Sequence, residues 1–141
     1  MTDTRSARLL KQADFQQTWG SPRADEPGFR RAFTEGVRGL NFMANILTLP
    51  VGQGAPAHVY GGDVIVVPLT GSIEFDVGAP DERVLYTVEP TDMLFLPAGV
   101  RYAYRNSSVG ESSFLSIAGR VDEWPATASY EGLEEEIVVH P

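Results

Sequence analysis

Chemistry has few places to start in this chain. It has no cysteine and two histidines, His58 and His140, so a thiolate nucleophile or thiolate metal ligand is excluded. His58 stands in GQGAPAHVYGGDVIVVPLTG, residues 52–71, just ahead of a hydrophobic run. Tyr60 follows closely, and Asp63 and Glu74 are the nearest carboxylates. An imidazole gives or takes a proton near neutral pH, and a phenol donates a hydrogen bond to an oxygen that is gaining charge. A second stretch, VRYAYRN at 100–106, places Tyr102 and Tyr104 at one parity and Arg101 and Arg105 at the other. On a strand the two tyrosines share one face and the two arginines the opposite face. Asn41 and Asn45 also share a parity in their own segment. A plainer reading stands beside this one: a histidine near a strand is often hydrogen-bonded structure, and aromatic rings mostly fill cores.

The elements that would hold these residues are short. From Gly28 onward the chain reads as strand-length segments rich in Val, Ile, Leu, Phe and Tyr: FRRAFTEG, LNFMANILTLPVG, DVIVVPLTG, SIEFDVG, RVLYTVEP, DMLFLPAG, VRYAYRN and SSFLSIAG. Each ends at turn residues, and none leaves room for a long helix before the next. Closely spaced strands predict an all-β antiparallel sandwich or barrel. Thr70-Gly71 reads as a tight hairpin turn, and DVGAPDERVLY as a longer, exposed hairpin loop. Before the strands, ARLLKQADFQQTW offers either a short helix or an extended arm, and GSPRADEPG is a connector. The acidic end, VDEWPATASYEGLEEEIVVHP, either lies over the barrel through Trp124, Tyr130 and Leu133 or is a loosely packed terminus.

The residues around His58 resemble the first motif of the cupin family. Gly52, His58 and Gly71 fall at that motif's glycine, first histidine and closing glycine, while Tyr60 takes the place of the second histidine and Val64 that of the glutamate. Residues 91–106 resemble the second motif: Pro97, Gly99 and Asn106 match, Thr91 replaces its glycine and Tyr102 its histidine. The resemblance implies a double-stranded antiparallel β-helix, the jelly-roll barrel of cupins, over residues 35–120. Residues 1–34 would then be a short N-terminal arm, peripheral or exchanged in a dimer, and 121–141 an acidic C-terminal tail. It also implies that His58, Tyr60 and Tyr102 converge in the barrel, with Tyr104, Asn45 and Glu74 as candidate substrate contacts. Cupins commonly dimerise, and Trp19, Phe29 and Phe33 in the arm would fit a homodimer.

Of four family metal ligands only His58 remains. Valine offers no donor, and a neutral phenol is a poor ligand for a divalent ion. If a metal binds, the ligands to join His58 are Glu74, Asp63 or His140; Asp63 adjoins Val64 and should face the other way on a strand. The expectation is therefore no cofactor and a metal-independent enzyme acting on a small carbonyl-containing or sugar-like metabolite. His58 would be the acid or base, with Tyr60 and Tyr102 as hydrogen-bond donors, in an isomerase, cyclase or dehydratase type of reaction. The alternatives are a non-catalytic cupin that binds a small ligand, and a dioxygenase-like cupin with unusual ligation.

Composition narrows the partners. The chain has 141 residues, 43% hydrophobic and 21% charged, which suits one soluble domain. Its net charge is −8 and Lys11 is its lone lysine, so it lacks the clustered positive charge that nucleic acid or an anionic membrane surface requires. The first residues have no apolar core of a secretory signal, and no stretch is long enough for a membrane-spanning helix. A cytoplasmic protein binding a small molecule is the expectation.

Overall fold

The computed structural model describes residues 7, 9–11, 13, 16–20, 33–38, 41–79, 81–119, 126–130 and 136–140. Residues 16–20, 33–38, 126–130, 136–140 and Pro56 are described by their backbone alone.

Among the described residues twelve strands run in chain order: β1 (Gln16–Gly20), β2 (Phe33–Arg38), β3 (Phe42–Leu49), β4 (Gly54–Tyr60), β5 (Val64–Thr70), β6 (Ile73–Val77), β7 (Val84–Val88), β8 (Leu94–Leu96), β9 (Arg101–Asn106), β10 (Ser112–Gly119), β11 (Ala126–Tyr130) and β12 (Glu136–His140). They form two six-stranded sheets. The first has the order β1-β2-β3-β10-β5-β8 and the second β12-β11-β4-β9-β6-β7. All pairings are antiparallel. The sheets face each other as a jelly-roll sandwich, the all-β architecture expected from the strand spacing. Among the described residues no helix is long and apolar enough to cross a membrane.

Alternation sets which side chains go inside. From the first sheet, Met43, Asn45, Leu47, Leu49, Val64, Val66, Leu96, Phe114 and Ala118 are buried; from the second, Ala55, His58, Tyr60, Ile73, Phe75, Tyr102, Tyr104 and Asn106. An aromatic knot holds the middle. Phe75, Tyr104 and Phe114 meet with ring centroids 5.4 to 6.0 Å apart, and each such pair adds about 1 kcal/mol beyond its buried area.

The base of the barrel is pinned by polar bonds. The Asn106 side-chain amide donates to the Leu49 carbonyl at 2.9 Å and to the Gly110 carbonyl at 2.8 Å. Its oxygen accepts from the Ser108 backbone amide at 2.9 Å and from the buried Ser112 hydroxyl. The Ser112 hydroxyl also explains Gly71: φ there is +69°, and a Cβ would stand 2.7 Å from the Ser112 Oγ. Gly52, Gly71 and Gly99 all have positive φ, and so does Thr91 at 81°. The turn positions that align with the motif glycines are thus left-handed turns, and Thr91 occupies one that glycine suits far better.

Some readings from the sequence change, and two that stood open are decided. Thr70-Gly71 does not close a hairpin; β5 and β6 belong to different sheets, and the pair turns the chain from one to the other. The DVGAPDERVLY segment does form a hairpin, with Phe75 paired to Tyr86. β4 was not among the segments read as strands, because Gly54 and Pro56 lower strand propensity. The acidic tail is not loose: β11 pairs with β4, and β12 with β11. At the other terminus Gln16–Gly20 is strand, not helix, and β1 and β2 add to β3; the arm boundary drawn at residue 34 falls inside β2. Phe29, Trp124 and Leu133 lie outside the described residues, as do the side chains of Trp19, Phe33 and Tyr130.

Candidate functional site

His58 reaches the interior because β4 carries a bulge. Ala55 pairs with Tyr104 and His58 with Tyr102, so the register shifts between them. Two residues of β4 oppose one of β9, and the extra residue restores an inward parity for His58 and Tyr60. Pro56, which has no amide hydrogen to donate, falls within this unpaired step. The two strands run very close just before it: a Cβ on Gly54 would stand 1.9 Å from the Tyr104 carbonyl oxygen.

The bulge sets the imidazole against two phenols. The His58 ring centroid lies 4.3 Å from that of Tyr102 and 6.2 Å from that of Tyr104, and the two tyrosines stack at 6.4 Å. His58 is 5% exposed, Tyr102 8% and Tyr104 7%. On the facing sheet, Asn45 is buried and paired in register with Ser116, which is itself paired with Val66. Ser116 sits at an inward parity between Phe114 and Ala118, yet keeps partial solvent contact, as do inward-facing Leu94 and Val77. Ser116 was missed in the sequence; the signal was the alternation S-F-S-A at positions 112, 114, 116 and 118, a polar residue in an otherwise core-facing row.

Tyr60 has a different office. Its hydroxyl donates to the Gly119 carbonyl at 2.7 Å, tying β4 to β10 across the two sheets. Burial pushes this phenol from 10 up to about 12. Its proton is engaged by the backbone and is hard to remove, so it is a structural tie and not a donor aimed at the interior.

Two other expectations are corrected. Glu74 alternates with buried Ile73 and Phe75 and so faces outward, where it accepts from Arg105 at 3.3 Å. It belongs to a shallow groove of about 280 Å³ on the outer face, with Gly54, Asp76 and Arg105. Asp63 is exposed and accepts from the Ala98 amide at 2.8 Å. The His140 side chain lies outside the described residues. These placements decide the fit of a metal at the family position: Val64 offers hydrocarbon, Tyr60 holds its proton, and both nearby carboxylates are turned away. Among the described residues no three His, Cys, Asp or Glu side chains come together. The described donors do not fit a divalent ion.

The fold and site define a class: a small two-sheet antiparallel β-barrel with an imidazole and phenols in its interior. No protein-family model matches the chain, and no curated protein does. Solved structures do match. The polyketide cyclase RemF from Streptomyces resistomycificus superposes with a TM-score of 0.68 at 16% identity, covering 93% of this chain and 89% of that one. A sugar phosphate isomerase from the cupin superfamily, from Silicibacter pomeroyi, gives 0.68 at 17% identity over 92% of this chain and 85% of that one. AerE from Microcystis aeruginosa gives 0.57 at 20% identity over 63% of this chain, which spans 41% of that protein's length. Likeness at such identities establishes the fold alone: the chain has the jelly-roll barrel that these structures share.

Proposed function

We propose that the protein is a cupin enzyme that moves a proton beside a carbonyl group of a small, uncharged metabolite. The observation that carries this is the in-register pairing of His58 with Tyr102 in the barrel interior, where the imidazole lies against the rings of both Tyr102 and Tyr104. In such a step an imidazole nitrogen of His58 takes the proton from the carbon next to the carbonyl. The C–H electron pair passes into an enolate whose oxygen accepts a hydrogen bond from Tyr102 or Tyr104. Return of the proton to a different carbon completes an isomerisation; attack of the enolate carbon on a second carbonyl, with the proton passed from His58 to the alkoxide this forms, completes a cyclisation. The substrate is read as uncharged because, among the described residues, no Asp, Glu, Lys or Arg is buried in the barrel. A phosphate or carboxylate would have no counter-charge there. The two enzymes of matching fold, a polyketide cyclase and a sugar phosphate isomerase, lend precedent for carbonyl chemistry in this barrel.

A second reading, a binding barrel without catalysis, is favoured by the tight burial of His58 against both tyrosines. The test is proton exchange in deuterated water, followed by NMR, with hydroxyacetone, α-tetralone and dihydroxyacetone phosphate as probes. The enzyme reading expects catalysed exchange on an uncharged probe, slowed about 10²–10⁴-fold in His58→Gln. Binding detected without exchange, weakened by only about 1 kcal/mol in Tyr102→Phe, would establish the binding barrel instead.

A further inference from the structure

The edge strand of a sheet presents unpaired backbone amides and carbonyls, and natural sheets guard such edges by shortness, charge, proline or a bulge. Among the described residues the edge strands are β1, β8, β12 and β7. β1 carries a bulge between Gln17 and Trp19, β8 is three residues long, and β12 opens on Glu136. β7 has none of these devices. Its sequence, VLYTV, holds no charge and no proline, and its register with β6 is unbroken. Its side chains are also short of cover. Tyr86 pairs with Phe75 and shares its inward face, yet Phe75 is 0% exposed and Tyr86 43%. Val84 pairs with inward-facing Val77 and is 47% exposed; Leu85, on the outward face, is 61% exposed. The difference follows from position: β6 lies between two strands and β7 beside one. The facing sheet ends at β8, whose inward Leu94 is likewise only partly buried.

We propose that β7 is the docking edge for an extended segment of a different protein, one that alternates apolar side chains and carries Lys or Arg at both ends. The added strand pairs its backbone with the open side of β7. Its side chains cover Val84 and Tyr86 on one face and Leu85 on the other. Charge selects the ends. Asp81 and Glu82 precede β7, Glu89 and Asp92 follow it, and all four are exposed. Arg83, the cation among them, is held by Asp76 at 2.9 Å. The Asp92 carboxylate accepts from the Glu89 backbone amide at 3.0 Å, a bond that leaves its negative charge in place. An edge that is apolar in the middle and negative at both ends is complementary to a strand with cationic ends. A second copy of this chain brings acid to acid at those ends and adds its own net charge of −8, so it is the poorer occupant. The proposal stands apart from the proposed reaction, and its test does not use activity.

The probe is an amidated nonapeptide, KRVTVTVRK, titrated into the full isotope-labelled chain and followed by NMR. Saturable binding should shift the amides of Val84–Val88, and those that exchange freely in the free chain should exchange about 10-fold more slowly at saturation. The peptide KRVTPTVRK has the same charge but a proline that bars strand pairing, and it should bind about 10-fold more weakly. Glu82→Lys and Glu89→Lys should each weaken binding of KRVTVTVRK about 5-fold. Glu111→Lys, the same charge change in a different exposed loop, should alter it less than about 2-fold. A dispersed amide spectrum confirms the fold of each variant. No saturable binding up to about 1 mM overturns the proposal. So does equal binding of the proline peptide, which would reduce the contact to charge attraction, or a set of shifts that leaves β7 untouched. Protection of every β7 amide in the free chain would show the edge already covered, by this chain or a second copy, and overturns it as well.

Discussion

At the base of the barrel, Asn106 gives its amide hydrogens to the carbonyls of Leu49 and Gly110 and takes hydrogens from Ser108 and Ser112. Leu49, Ile73 and Ser112 around it are 0% exposed. In the other half, His58 and Tyr102 lie in ring contact, and inward-facing Ser116, Val77 and Leu94 keep touch with solvent. Both regions bury polar groups in a barrel interior. At the base those groups answer one another completely and hold the sheets together. Around His58 the imidazole lies against the aromatic faces of Tyr102 and Tyr104. Motif residues can therefore persist for two unlike reasons, and in this chain the structural ones match the family pattern better than the chemical ones.

That contrast can be attacked at its strongest point first. Asn106→Ala should destabilise the fold by about 2–3 kcal/mol, because it strands the buried Leu49 carbonyl and removes the acceptor that the Ser108 amide and the Ser112 hydroxyl share; urea unfolding measures it. His58→Gln should cost under about 1 kcal/mol by the same assay, since amide and imidazole are both polar and of similar reach. If the two costs are equal, the division into a structural base and a chemical half fails.

Tyr60 sharpens the boundary between the halves. Its phenol keeps its proton to about pH 12 in the folded chain, against 10 in the unfolded one. Between those values the unfolded chain has lost this proton and the folded chain has not, so stability falls as pH rises. The stability is intact below pH 10, and up to about 2 kcal/mol is lost by pH 12. Unfolding curves of wild type minus Tyr60→Phe should isolate this alkaline loss. At pH 7 the same variant should cost about 1 kcal/mol, the tie to Gly119, and leave any exchange rate untouched.

An effect of opposite sign is expected at Thr91. A β-branched residue at φ 81° is held in a region that favours glycine. Thr91→Gly should stabilise by about 1 kcal/mol despite the looser unfolded chain, raising the thermal midpoint; Thr91→Ala should gain less.

Much of the barrel was legible because turn residues and apolar alternation are local. Gly52, Gly71, Gly99 and Asn106 marked turns that the structure does make, and the fold followed from their order. What failed was non-local. β4 escaped notice because its glycine and proline serve a bulge that only the partner strand defines. Thr70-Gly71 looked like a hairpin because its sequence cannot say which sheet the next strand joins. Glu74 was drawn into the site by its chemistry, although Ile73 and Phe75 beside it already fixed the inward face. Tyr60 was placed inside correctly, but its bond to Gly119 crosses 59 positions of chain. Ser116 was readable by parity and was passed over because a lone serine in a strand carries no signal by itself.

The bulge in β4 has a consequence for how this protein can change over generations. Point substitutions around residues 55–57 alter packing but leave His58 aimed inward, because the step in register is one of length and not of side-chain identity. Removing one of residues 56 and 57 would give flat pairing with β9 and still leave His58 opposite Tyr102, on the inner face. What would turn His58 and Tyr60 outward together is flattening the bulge at its present length, which sets His58 opposite Arg101: descendants of this chain can vary their letters here, or lose one, but those that keep the length must keep the bulge.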